Sequence, residues 1–128
     1  MKEIVLGLIK GRHALPVENY IVEETELKVF TKEKINSIII NGLNKLQINQ
    51  YKCFHSEYGY WWEYNGDKIT KEIPSIKLYI TGLTIVTLCA VEILNQWGYD
   101  VDIMGYNPTT QEYYSQGIFY KEPFTKFD

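Results

Sequence analysis

Residues 76–106, IKLYITGLTIVTLCAVEILNQWGYDVDIMGY, constrain the fold more than any other part of the chain. An apolar run of strand length, 76–80, meets a small polar turn. A helix-length apolar segment, about 83–97, follows and stops at Gly98, a common helix-ending residue. A second strand-like run, YDVDIMGY, comes next. Such a strand–helix–strand unit places its strands parallel in one sheet, joined by a right-handed crossover.

The rest of the chain is consistent with that unit. EIVLGLI, residues 3–9, has the continuous Ile, Val and Leu texture of a central strand buried on both faces, and Gly11 and Pro16 end it. Residues 18–30, ENYIVEETELKVF, read as extended or irregular, with Glu23, Glu24 and Glu26 a solvated acidic run. Thr31 can cap a helix over 32–46, where Ile35, Ile38, Ile39, Leu43 and Leu46 make one apolar stripe; Gly42 weakens its last turn. Residues 51–73 are dense in aromatics and contain Asn65-Gly66, a tight-turn signal that predicts a hairpin with strands near 60–64 and 68–72. After the last parallel strand, NPTTQ turns the chain and EYYSQGIFY returns as an antiparallel edge strand. The expected fold is a compact α/β, Rossmann-like domain over residues 1–128. Its sheet is mainly parallel, with a final antiparallel strand and an aromatic β-hairpin insertion.

A chain of 128 residues with 45% hydrophobic content supports a core without metal or disulfide staples. Cys53 and Cys89 form no CxxC pair, and no Cys/His spacing suggests zinc, so neither a metal nor a cofactor is expected. Asp100 and Asp102 alternate on a strand without a metal set joining them. A net charge of −3 disfavours duplex nucleic acid held by bulk charge, but leaves room for a small anion held by a few donors. The N-terminus lacks a signal-peptide core and no apolar run reaches transmembrane length, so a cytoplasmic protein without a membrane partner is expected.

Ligands of open α/β sheets bind outside the carboxyl ends of the strands. Applied here, that rule gathers Lys10, Gly11, Arg12 and His13 from the first strand. It adds Thr81, Gly82 and Thr84 from the second, and Gly105, Tyr106 and Asn107 from the third. Gly82 permits close backbone approach, and free N–H groups at a helix start favour an anion. The same threonines can instead simply cap the helix. No GxxxxGK[ST] or GxGxxG accompanies them. Arg12, the sole arginine beside twelve lysines, offers a planar fork for phosphate, and His13 a donor or general acid/base. Both can equally be solvated loop residues. Of Trp61 and Trp62, alternation on a hairpin turns one inward and one outward; the outward one can stack a base or meet a partner subunit, while core packing is the plainer role.

Over LYITGLTIVTLCAVEILNQWGYDVDIMGYNPTTQEYYSQG, about 40 residues, the chain resembles small CRISPR-associated proteins of the ring-nuclease and CARF-like group. The resemblance implies a Rossmann-like homodimer that binds a cyclic oligoadenylate, with Thr81, Gly82 and Thr84 in the signal-binding turn and the Arg12-His13 loop beside it. The aromatic hairpin departs from the group. By analogy, the chain also suits a phage sponge for nucleotide immune signals. Three functions are therefore expected to compete: a homo-oligomeric binder that sequesters a phosphate-bearing nucleotide, a metal-independent ring nuclease using His13, and a protein-interaction inhibitor docking through the tryptophan hairpin.

Overall fold

The computed structural model describes residues 3–70 and 72–125. The chain forms β1 (Ile4–Lys10), β2 (Tyr20–Glu23), α1 (Lys32–Lys45), β3 (Lys52–Ser56), β4 (Gly59–Tyr64) and β5 (Asp67–Ile69). It continues with β6 (Ile76–Tyr79), α2 (Thr84–Gln96), β7 (Val101–Asn107), β8 (Glu112–Phe119) and β9 (Phe124–Thr125). This is a mixed α/β fold with two sheets. The larger has the order β2-β1-β6-β7-β8 and is parallel except for its last pair. The smaller has the order β5-β4-β3-β9.

The apolar runs at 3–9, 76–80 and 99–106 become the three central parallel strands. Leu6 pairs with Leu78 and Leu78 with Ile103, one buried row across the sheet. β2 occupies part of the segment read as extended or irregular, where its Ile21 and Val22 are buried. The Thr31 hydroxyl accepts from Lys34 N–H and caps α1, whose Ile35, Ile39 and Leu43 are fully buried. Both helices end in the same six-to-one motif. Tyr99 N–H bonds Leu94 O past Gly98 at φ 88°, and Ile48 N–H bonds Leu43 O past Gln47 at φ 58°. The first cap was readable from Gly98; the second was hidden because a glutamine does the glycine's work.

The hairpin expected near 60–64 and 68–72 is seen in part: β4 and β5 pair across Asn65-Gly66 with both residues at positive φ, but β5 ends at Ile69, and position 71 lies outside the described residues. They belong to a larger unit than the sequence suggests, since β3 and the distant β9 complete a sheet of four strands. Trp62 shares a face with Cys53 and Ile69, and its indole N–H donates to Gly98 O at 2.9 Å. Trp61 takes the opposite face, stacked on Phe54 at 5.5 Å with its N–H on Glu63.

Tyr99 fastens the α2–β7 turn to the segment after α1. Its hydroxyl donates to Asn49 O at 2.8 Å and its ring meets Tyr51 edge-on. Burial, with Tyr51 adding to it, pushes this phenol well above its ordinary 10.0. Above about pH 10 an unfolded chain therefore loses this proton while the folded one keeps it, so stability falls as pH rises. Tyr99→Phe is expected to cost about 1 kcal/mol at neutral pH and to flatten that alkaline decline. Denaturant midpoints from pH 7 to 11 measure both; an unchanged alkaline slope would contradict the assignment.

Candidate functional site

The order of the larger sheet places β2 on one side of β1 and β6 on the other, although the chain makes β2 first. The loops after β1 and β6 therefore leave the sheet in opposite directions, the arrangement that opens a crevice in α/β folds. Arg12 spans it: its Nε–H donates to Thr81 O at 3.2 Å. A cavity of about 790 Å³ lies alongside, within the size range of small-molecule sites. His13 and Ala14 line it from the first loop, and Ile80, Thr81 and Gly82 from the second. Gly105 and Tyr106 of β7 and Tyr113 and Gln116 of β8 form the remaining wall.

The carboxyl ends of β1, β6 and β7 do meet, and the chemistry there is mostly neutral. Tyr113 sits edge-on to both Tyr79 (5.3 Å) and Tyr106 (5.2 Å), a three-ring cluster that follows from the Tyr106–Tyr113 strand pair. Desolvation, with Tyr106, Tyr20 and Tyr79 adding to it, raises the Tyr113 phenol, whose hydroxyl donates to Ala14 O at 3.4 Å. Thr81 is buried, and among the described residues its hydroxyl has no hydrogen-bond partner. The turn after it is unusual: Gly82 (φ 79°) is followed by Leu83 (φ 48°), which serves as N-cap of α2 with no side-chain cap. A left-handed leucine costs about 1–3 kcal/mol, a strain that recurs at binding sites.

Each expected residue has a definite place. Arg12, His13, Thr81, Gly82 and Tyr106 surround the crevice. Thr84 opens α2, is exposed and does not line the cavity, and neither it nor Thr81 caps the helix. Asn107 turns its carboxamide into its own loop, where Oδ1 accepts from Thr109 N–H at 2.9 Å. The indoles of Trp61 and Trp62 belong to the smaller sheet, apart from the residues that line this cavity. Among the described residues, no group of three His, Cys, Asp or Glu is placed to hold a metal ion, and no helix is long and apolar enough to cross a membrane. Sequence reasoning missed Tyr113 and Gln116. The signal was there in part, because antiparallel return across NPTTQ brings the next strand back beside Tyr106.

Comparison with family models, curated proteins and solved structures finds no match to this chain.

Proposed function

We propose that this protein binds a small phosphate-bearing nucleotide signal of the cyclic oligonucleotide class. In this reading it works as a cytoplasmic homo-oligomer that sequesters the signal in bacterial defence or phage counter-defence. The observation that carries the reading is the crevice spanned by Arg12 and Thr81 with an aromatic cavity beside it. The reading takes the larger sheet as Rossmann-like and the crevice as its topological switch point. Apart from Nε, the Arg12 guanidinium forms no hydrogen bond or ion pair with the described residues, so its two outer nitrogens are available to phosphate. Tyr106 and Tyr113 offer rings for a base. A ring of several nucleotides presents more than one base and phosphate, which is the reason for expecting more than one copy of the chain around it.

Binding is favoured over turnover because, among the described residues, the cavity wall carries no carboxylate and no thiol. His13 on that wall supports a second reading, a metal-independent ring nuclease. There the ribose 2′-hydroxyl attacks its own phosphodiester while His13 takes the proton. The bond to the 5′-oxygen breaks and His13 returns the proton to that oxygen, giving a 2′,3′-cyclic phosphate and a 5′-hydroxyl. The third reading, docking through Trp61 and Trp62, has less to rest on: Trp62 is bonded to Gly98, and Trp61 is stacked on Phe54.

One incubation separates these readings. The protein is mixed with cyclic oligoadenylates and other cyclic nucleotides, filtered and heated, and both fractions are chromatographed. The sequestering reading expects a ligand retained with the protein and released intact on heating. Linear products would replace it with the nuclease, and ligands that all stay free and unchanged would remove the nucleotide reading.

A further inference from the structure

We infer that Gln116 is the specificity-determining residue of the cavity, reading the edge of an adenine base with its carboxamide. The inference rests on the nucleotide-binding reading and adds to it a residue that selects the ligand.

Three features aim this side chain. First, the β7–β8 ladder breaks its register: Ile103 pairs with Gly117 but Met104 with Ser115, so Gln116 is the extra residue of a β-bulge. Bulges bend an edge strand and redirect one side chain, commonly next to binding sites. Gly117, at φ 142°, supplies backbone freedom beside the bulge. Second, the carboxamide lies over Gly105. A Cβ at that position would overlap the amide nitrogen and carbon of Gln116 and lie 3.1 Å from its Cγ, so only glycine leaves this space to the glutamine. Third, Gln116 and Gly105 line the cavity on the same wall as Tyr106 and Tyr113. Among the described residues the Gln116 amide makes one hydrogen bond, Nε2 to the Tyr114 hydroxyl at 3.4 Å, which leaves its carbonyl and a second N–H open.

A carboxamide presents a donor beside an acceptor, so it pairs in two places with an edge carrying an acceptor beside a donor. The tyrosine cluster favours the larger rings of a purine. Adenine offers the matching pattern on its Watson–Crick and Hoogsteen edges, whereas guanine offers it on its Watson–Crick and sugar edges and presents two adjacent acceptors on its Hoogsteen edge. Gln116 therefore selects adenine when the ligand turns its Hoogsteen edge toward it.

The test compares cyclic tetra-adenylate with its guanylate counterpart, by calorimetry or equilibrium filtration, on the full chain. The unsubstituted protein is expected to prefer the adenylate by about tenfold or more, the order supplied by a bidentate amide–base pair. Gln116→Glu replaces the donor by a second acceptor; the adenylate should lose about tenfold, and the preference should vanish or invert toward guanine, whose Watson–Crick edge carries two adjacent donors. Gly105→Ala leaves the amide chemistry intact but displaces it, and should erase discrimination while the thermal midpoint holds, because the displaced group is the end of a flexible side chain. Equal affinity for both rings, or an adenine preference that survives both substitutions, overturns the role of Gln116 while leaving nucleotide binding in place. If neither ring binds, the nucleotide reading falls and this one with it.

Discussion

Gly42→Ala is expected to destabilise the protein by about 3 kcal/mol or more, the upper range for overpacking a tight interior. Gly42 lies in the last turns of α1, where an added Cβ would fall well inside contact distance of the Ile21 carbonyl oxygen, 2.9 Å from its carbon and 3.2 Å from its Cγ2. The obstacle is backbone of β2, which cannot rotate away as a side chain would. Relief requires α1 to lift from the strand, withdrawing Ile39 and Leu43 from a core in which both are fully buried. Alanine's better helix propensity, worth at most about 1 kcal/mol over glycine, does not offset this. Urea unfolding is the measurement: the midpoint should drop sharply with little change in slope. A midpoint equal to that of the parent would mean that α1 and β2 are not in backbone contact.

Arg12→Ala is expected to have the largest effect on binding, about 10- to 100-fold weaker affinity for a cyclic nucleotide. That is the worth of one or two charge-assisted hydrogen bonds at about 1.5–3 kcal/mol. Arg12 is exposed and, among the described residues, bonds only to Thr81 O, so stability should change by less than about 1 kcal/mol. Arg12→Lys is the sharper variant. It keeps the charge but loses both the planar fork and the Nε donor, so it should recover little of the lost affinity. Affinity untouched in Arg12→Ala would remove the crevice as the phosphate site. Full recovery in Arg12→Lys would reduce the role of Arg12 to charge alone.

The parallel centre of the larger sheet was legible because its strands are short apolar runs separated by helix-length segments, and α1 carries a one-faced stripe. Ile35, Ile39 and Leu43 announce α1 as plainly as Asn65-Gly66 announces a turn. β2 was not legible: four residues, two of them outward, sit in a run rich in glutamate, and burial of Ile21 and Val22 comes only from α1 and β1 closing around them. β9 is a two-residue strand that exists only through its pairing with Phe54 and His55. The same split holds at the site. Arg12, His13, Thr81 and Gly82 follow from a rule about strand ends, applied to recognisable strands. Gln116 depends on a one-residue register slip, which alternation of polar and apolar residues does not encode in an exposed edge strand. Thr84 shows the opposite limit: its place in the chain is right, but the left-handed Gly82-Leu83 step turns the helix start so that the residue faces solvent.

The pairing of Ile4 with Ile76 bears on how the molecule comes into being. During synthesis β1 emerges early with β2 as its sole neighbour, and its other side stays vacant while α1 and the smaller sheet's hairpins are made. Those hairpins close over short loops and can form at once, whereas the main sheet must wait for the last third of the chain. An unfinished nascent chain therefore exposes the Ile, Val and Leu edge of β1 to whatever else is nearby, and α1, lying against β2, shields only the far flank. The most apolar strand of the protein is also the one that waits longest for its second neighbour, from Ile4 to Ile76.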